Sequence, residues 1–235
     1  MAESASGCQS SMKQAPPRTQ QERVYAQLRE AILSGQFVPG RSVTLRGIAD
    51  MLGVSPMPVR EALRRLTTER ALELLSNRRV AVPLMTMPKL EEICDARVAL
   101  ETAAAERALP AMGKLAIRQL RLVDDSVNKA IASHDVQAYI RGNYEFHFTL
   151  YNFGESAVTM PLIESLWLQT APFMRLVLDR YGMQNLPDRH EQALDAIERG
   201  SSSGLRRAIE LDIQEGPGGI GQAELDTIYQ EDLDK

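Results

Sequence analysis

Two prolines lie near the start of Gly53–Leu66, "GVSPMPVREALRRL", a stretch whose apolar residues otherwise have helical spacing. A proline in the middle of a helix removes a backbone hydrogen bond and clashes with the preceding turn, so the stretch either interrupts a helix or begins one. Ser55 is a favoured N-cap residue, and Pro56 then takes the first helical position. Both prolines fall in the first turn, where backbone N–H groups have no partner within the helix. The sequence therefore predicts a helix that begins at Pro56.

The predicted helix has two unlike faces, one apolar and one basic. The apolar face holds Val59, Ala62, Leu63 and Leu66, and the opposite face holds Met57, Arg60, Glu61, Arg64 and Thr68. This pattern predicts that one face packs against a core and that the other presents arginines outward. A run of charges on a helix is usually a solvated surface, so this helix alone does not establish a function.

The elements around this helix occur in an informative order. Helical spacing predicts one helix over residues 20–33 and a short one over 45–52, with Gly53 just past its end in the position where glycine favours the left-handed conformation. After the arginine helix, "ALELLSNRRVAVPL" contains two short β-prone runs around a turn, which predicts a hairpin. This order is typical of a helix-turn-helix whose second helix enters the major groove of DNA and whose hairpin is a wing.

The candidate DNA contacts follow from this arrangement. They are Ser55, Met57, Arg60 and Arg64 on the helix, and Arg78 and Arg79 on the wing, near a phosphate backbone or minor groove. The charge distribution agrees with it: residues 21–82 carry ten arginines and six acidic residues, whereas residues 83–235 carry fifteen basic and 24 acidic residues. A basic front and an acidic rear indicate a polyanion-binding module joined to a part that does not bind polyanions.

The rest of the chain predicts one long helical domain. "PLMTMPKL" has two prolines and no clear period, which predicts a linker, and helical spacing then covers 88–109, 113–133, 135–153, 158–181, 187–200 and 202–215. We expect a mainly α protein with a flexible tail at 1–19, a winged helix-turn-helix at 20–83, a linker at 84–88, an antiparallel bundle of six or seven helices at 89–220, and an acidic tail at 221–235. The sequence lacks an apolar run of about eighteen residues and a secretory signal, which predicts a cytoplasmic protein with no membrane partner.

Polar side chains occur on the apolar faces of three predicted rear helices. Asn143 and His147 lie four residues apart on one helix, His190 lies on the second and Asp212 on the third. A buried carboxylate is costly unless it is paired or bound to a metal, so Asp212 requires a cation or an arginine. Each histidine alone is typical of an ordinary core residue, but together the four side chains favour a divalent metal site, for Zn, Ni, Mn or Fe.

The front half resembles a known family. "YAQLREAILSGQFVPG", "IADMLGVSPMPVREALRRL" and the hairpin are similar to the N-terminal winged helix of GntR-type bacterial transcription regulators. The resemblance implies that Arg46 and Arg60 contact DNA. The family usually has Arg where Pro56 stands and Gly where Arg70 and Arg79 stand, so we expect an operator that departs from family norms.

The rear half resembles the FCD ligand-binding domain of the FadR subfamily. The similar segments are "DARVALETAAAERAL", "NYEFHFTLYNFGES" and "RHEQALDAIERGSSSGLRRAIELD". The resemblance implies a metal held by one Asp and three His beneath a carboxylate effector. Here Asn143 stands at the Asp position and Asp212 at the last His position, while His147 and His190 keep theirs, which indicates a metal site with altered preference.

The resemblance also implies an effector site. Arg97 is either a clamp for the effector carboxylate or a partner of Glu101 four residues on. Tyr144, Tyr151 and Arg175 are further candidates for the pocket.

These features predict a homodimeric regulator that binds a pseudo-palindromic double-stranded operator and responds to a small carboxylate. A second interpretation makes the metal itself the signal. The alternative is a helical metal-dependent enzyme using His147, His190 and Asp212 as a facial triad. It leaves the front module unexplained and lacks a clear nucleophile or acid–base pair.

Overall fold

The computed structural model describes residues 19–76, 79–183, 189–216 and 219–233, with side chains as far as Tyr229. Residues 1–18 of the expected tail and the predicted wing contact Arg78 lie outside the described residues. The elements in chain order are α1 (Gln20–Leu33), β1 (Val43–Thr44), α2 (Leu45–Leu52), α3 (Pro56–Thr68), β2 (Glu73–Leu74), β3 (Arg79–Ala81), α4 (Met87–Ala108), α5 (Lys114–Ala132), α6 (Val136–Asn152), α7 (Thr159–Tyr181), α8 (Arg189–Glu198), α9 (Ser202–Glu215) and α10 (Gln222–Leu233). The prediction of a mainly α protein with a small β wing is confirmed.

The helix α3 begins at Pro56, as the proline pattern predicts. Ser55 occupies the N-cap position in an extended conformation, but its side chain makes no capping hydrogen bond. The fixed φ of Pro56, which is already helical, therefore contributes more to the start of α3 than the Ser55 hydroxyl does. Just before it, Gly53 has φ 63° and ψ 35°, the left-handed conformation that ends α2.

The wing is a three-stranded antiparallel sheet in the order β1-β3-β2. The hairpin of β2 and β3 matches the prediction, whereas β1 was not predicted because two residues are too few to show an alternating pattern. In β1, Val43 pairs with Val80 and Thr44 with Arg79. The Thr44 side chain also accepts a hydrogen bond from Gly47 N at the start of α2, so one residue fixes both the strand and the helix.

The apolar face of α3 is buried as predicted. Val59, Ala62, Leu63 and Leu66 are each at most 5% exposed, and they pack with the buried side chains of α1, among them Leu28 and Ile32. The core of the head, which comprises α1–α3 and the sheet, is continuous with that of the rear domain, which comprises α4–α10. In the rear domain, α5 packs against α6, and α9 packs against both α8 and α4.

A close approach of α5 and α6 depends on Gly142. A Cβ atom at this position would lie 2.9 Å from Val127 Cγ2 on α5, closer than van der Waals contact allows. The small residue therefore lets the two helices approach closely.

Two boundaries differ from the sequence-based expectations. The segment 221–235, expected as an acidic tail, contains the helix α10, whose Leu225 and Ile228 are buried. Its acidic composition hid a helical spacing of apolar residues. Tyr229 on this helix accepts a hydrogen bond from Met85 N at 2.7 Å, which ties the end of the chain to the segment between the two domains.

The expected linker at 84–88 is also shorter than predicted. The helix α4 begins at Met87, with Thr86 as its N-cap and a proline in its first turn. The same logic that makes Pro56 a helix start applies to Pro88, because a first-turn proline costs no hydrogen bond.

Arg70 follows α3 in a left-handed conformation, with φ 60°. This conformation costs a residue with a side chain about 1–2 kcal/mol, and glycine avoids that cost. We expect Arg70→Gly to raise the free energy of unfolding by about 1 kcal/mol, and the melting temperature by about 2–4 °C.

The control is Arg70→Ala, which removes the same side chain but keeps the strained backbone. Thermal and urea denaturation of both variants check the prediction. Equal stability of the glycine and alanine variants would contradict it.

Candidate metal and ligand site

Three helices bring the predicted metal ligands together. Asn143 and His147 lie four residues apart on α6, His190 lies near the start of α8 and Asp212 on α9. One possible ligand atom from each of His147, His190 and Asp212 lies within 4.8 Å of the others. Both histidines are buried, and the Asp212 side chain is 20% exposed.

The hydrogen bonds behind His147 determine its tautomer. Tyr151 donates from its hydroxyl to Glu101 Oε2 at 2.9 Å, and His147 Nδ1 lies 2.9 Å from the same Tyr151 oxygen. Burial, followed by the Glu101 carboxylate, raises the pKa of Tyr151 well above its usual value, so the hydroxyl keeps its proton. Because that proton is used on Glu101, His147 must donate from Nδ1. A neutral His147 then presents the lone pair of Nε2.

The His147 Nε2 atom has no hydrogen-bond partner in the described part of the chain, although it is fully buried. Asp212 Oδ2 lies 3.1 Å away, but not in a direction that satisfies hydrogen-bond geometry. A buried lone pair that faces a carboxylate oxygen is unfavourable unless a cation lies between them. This pair of atoms is therefore the strongest indication of a bound ion.

His190 is held in a parallel way. Its Nδ1 lies 2.9 Å from Asp124 Oδ1, which can only accept, so Nδ1 is the donor. The other nitrogen, Nε2, lies 2.9 Å from Asn143 Oδ1. The ring is stacked on Phe146, with centroids 3.9 Å apart, which fixes its plane. His190 Nε2 thus faces Asn143 in the same space as His147 and Asp212.

The donor set fits a divalent cation. Adjacent ligands at about 2.1 Å from a metal are about 3 Å apart when they subtend a right angle. The distances of 3.1 Å from His147 Nε2 to Asp212 Oδ2 and 2.9 Å from His190 Nε2 to Asn143 Oδ1 agree with that spacing. Two imidazoles, one carboxylate and one amide oxygen suit first-row divalent metals.

Asp212 is ionised in this environment. Burial opposes its charge, but the neighbouring side chains, first His147 and then His190 and Arg97, outweigh that effect and lower the pKa of Asp212 to about 2. The site therefore offers a carboxylate at neutral pH.

A second buried carboxylate, Glu101, organises the neighbouring side chains. It is completely buried and accepts hydrogen bonds from Arg97 Nε at 2.6 Å, Trp167 Nε1 at 3.1 Å and the Tyr151 hydroxyl at 2.9 Å. The Arg97 guanidinium also lies over the Trp167 ring, 4.3 Å from its centroid. Arg97 is thus the partner of Glu101, the second of the two roles that the sequence left open.

A cavity of about 50 Å³ lies between Arg97 and the metal-type residues. Its lining includes Arg97, Tyr139, Asn143, Trp167, Thr170 and Asp212. Its volume admits about four water molecules or a ligand of a few heavy atoms. Arg97 uses Nε on Glu101, and a guanidinium has four further N–H donors with which to bind an anion in the cavity.

The other predicted effector residues lie elsewhere. Tyr151 is buried behind His147 as its hydrogen-bond partner. Tyr144 accepts a hydrogen bond from Arg29 of α1 at 3.0 Å, and Arg175 binds Asp179 at 2.6 Å and packs beside Gly35 of the head. None of these three lines the cavity described above.

Sequence reasoning missed Asp124 and Trp167, and it named Glu101 only as a possible partner of Arg97. Asp124 lies between the buried Leu120 and Val127 on α5, so the search for polar residues on apolar faces could have found it. Glu101 shows no such signal beyond its spacing from Arg97, and the role of Trp167 depends on tertiary packing.

The predicted DNA contacts form an exposed surface on the head. Met57 is 59% exposed, and Arg46, Ser55, Arg60 and Arg79 are also exposed. The side chain of Arg64 is 75% exposed but lies 3.2 Å from Glu61. In the described ranges, no helix is long and apolar enough to cross a membrane.

Comparison with known families agrees with this architecture. The gntR family of bacterial regulatory proteins matches residues 20–82, and the FCD domain matches residues 92–215. These two matches correspond to the DNA-binding head and the helical rear domain.

Similar proteins extend over most of the chain. The HTH-type transcriptional regulator McbR of Escherichia coli K12 is 25% identical over 77% of this chain and 84% of its own length. The gluconate operon transcriptional repressor of Bacillus subtilis is 27% identical over 75% of this chain and 74% of its own.

Two solved structures share the fold. The structure of Escherichia coli McbR superimposes with a TM-score of 0.78 at 23% identity and covers 90% of this chain and 97% of its own. A GntR protein from Rhodococcus sp. RHA1 gives 0.71 at 25% identity, over 85% of this chain and 96% of its own.

The matched families and the curated relatives above are transcription regulators, so the alternative of a metal-dependent enzyme is rejected. The chain belongs to the gntR family of bacterial transcription regulators, with a winged helix-turn-helix head joined to an FCD domain.

Proposed function

We propose that this regulator is a cytoplasmic homodimer that binds a pseudo-palindromic operator and changes its DNA affinity when a small carboxylate binds over a divalent metal. Two copies of α3 related by a two-fold axis would read two half-sites about one helical turn apart. The similarity to gluconate operon repressors supports repression as the mode of control.

The exposed basic surface of α3 supports DNA binding. Arg60 is exposed, makes no ion pair or hydrogen bond with its side chain among the described residues, and can reach a base edge or a phosphate. Arg46 at the start of α2 and Arg79 on β3 flank it and are suited to phosphate contacts.

The unpaired Nε2 of His147 carries the proposal of a metal. His147, His190, Asp212 and Asn143 would hold the ion, and Asp124 and Tyr151 would fix the two imidazole rings from behind. A bound divalent cation supplies a fixed positive charge at the wall of the cavity. Arg97 adds the N–H donors that its bond to Glu101 leaves over, so the cavity favours a small anion such as a carboxylate.

The DNA-binding proposal predicts the effect of Arg60→Ala. Loss of a base-contacting arginine costs about 1–3 kcal/mol, so we expect operator affinity to fall by about tenfold to a hundredfold. Fluorescence anisotropy with labelled DNA from upstream of the protein's own gene measures the change at several salt concentrations.

Arg199→Ala is the control, because it removes another exposed arginine, which directly follows α8 in the rear domain. It should leave affinity nearly unchanged. If the two variants bind alike, α3 does not read the operator.

The metal proposal predicts quenching of tryptophan fluorescence. Trp167 is the sole tryptophan, and its ring centroid lies 5.3 Å from that of His147. Ni²⁺ has a partly filled d shell and quenches a fluorophore at this range, whereas Zn²⁺ has a filled shell and does not. We expect saturable quenching by Ni²⁺ that Zn²⁺ reverses by competition.

His147→Ala and Asp212→Asn should both abolish the saturable quenching. Asp212→Asn keeps the shape of the side chain, so it remains informative if the alanine variant unfolds. His134→Asn is the control, since His134 is exposed, lies outside the site and has φ 56°, a conformation that asparagine tolerates. Saturable quenching that survives in the first two variants would place the ion elsewhere.

A further inference from the structure

One arginine of the DNA-binding head reaches into the rear domain. The Arg29 side chain on α1 is only 16% exposed. Its Nη2 donates to the Tyr144 hydroxyl of α6 at 3.0 Å and lies 3.3 Å from Glu164 Oε2 of α7. A single side chain of the head is therefore held by two helices of the rear domain.

The Tyr144 ring belongs to an aromatic cluster that extends to the cavity. It is stacked on Phe148, with centroids 4.0 Å apart, and meets the Trp167 ring edge to face at 5.6 Å. Trp167 forms part of the cavity wall and is held by Glu101 and by the Arg97 guanidinium. Arg29, Tyr144 and Trp167 thus form a continuous contact from the head to the cavity.

Two other polar contacts join the head to the rear domain, and neither of them involves the aromatic cluster. Arg141 and Glu30 form an ion pair at 3.1 Å, but both side chains are more than half exposed, so the pair contributes little. Ser165 of α7 donates to the Glu69 carbonyl oxygen, just after α3, at 2.8 Å.

We propose that Arg29 is a positioning residue that couples the location of the DNA-binding head to the state of the cavity. A movement of α1 on DNA displaces the Tyr144 ring, and the displaced ring changes the surroundings of Trp167. A ligand that moves Trp167 through Arg97 therefore also changes the preferred position of α1. By linkage, the coupling free energy is the same in both directions. The proposal rests on the DNA-binding function proposed above.

The emission of Trp167 tests this coupling directly, because no other tryptophan contributes. The probe is the labelled upstream DNA fragment, whose binding is followed by anisotropy while the emission of Trp167 is recorded in parallel. In the wild type, we expect the emission to change as DNA binds. In Arg29→Ala, the fragment still binds, and the emission change is lost.

Two further variants separate coupling from a structural role. Tyr144→Phe keeps the stacked ring but removes the hydroxyl that Arg29 contacts, and we expect it to lose the response as well. Arg29→Lys keeps a charge beside Glu164, and we expect a partial return of the response. These two conservative changes keep the test decisive if Arg29→Ala unfolds.

Arg141→Ala is the matched control, since it breaks a contact between the same two domains outside the cluster. It should keep the full emission change and alter DNA affinity by about twofold or less. The Ni²⁺ quenching midpoint, measured in every variant, should stay constant if the metal-type site is intact.

The outcomes are distinguishable. A wild type that binds DNA with no change in emission overturns the coupling and leaves the regulator function standing. The same holds if Arg29→Ala responds like the wild type. Failure of the wild type to bind the fragment in the anisotropy channel overturns the proposed function and the coupling with it.

Discussion

Three buried side chains are joined by hydrogen bonds in the order Glu101, Tyr151, His147. Only one arrangement of donors and acceptors fits this series, and the chemistry of the rear domain depends on it. Glu101 is completely buried and can only accept, so the Tyr151 proton points toward it. His147 must then donate from Nδ1, which leaves the Nε2 lone pair facing Asp212. Two acceptors in contact require a positive charge between them, because a buried unpaired lone pair is unfavourable. The same Glu101 holds Arg97 and Trp167, so one carboxylate organises both the metal-type site and the cavity wall.

Packed aromatic side chains connect the DNA-binding head to the cavity wall that Glu101 organises. Trp167 contacts Glu101 on one side and Tyr144 on the other, and Tyr144 receives Arg29 from α1. A domain interface made of stacked rings and one mostly buried arginine has few alternative arrangements, because packed interiors change between discrete states. This property suits a regulator in which a conformational change of one domain must alter the conformation of the other.

The sequence predicts what local rules determine and misses what depends on packing between elements. The start of α3 at Pro56 follows from proline stereochemistry, and the ligand-type residues of α6, α8 and α9 follow from polar positions on apolar faces. The helix α10 was missed because acidic composition hid its buried Leu225. Tyr144 was expected in the pocket, but its position at the domain interface depends on how α1 docks, which no spacing within α6 reveals.

The central claim is that a metal ion, and not a proton, lies between His147 Nε2 and Asp212. The alternative is a protonated His147 that donates to the carboxylate, which the present geometry does not favour. Crystals of protein purified without a chelator or a histidine tag, measured at the absorption edges of Zn, Ni, Mn and Fe, distinguish the two directly. We expect an anomalous peak bounded by His147, His190, Asn143 and Asp212. An absent peak, together with a linear hydrogen bond from His147 Nε2 to Asp212, would contradict the claim.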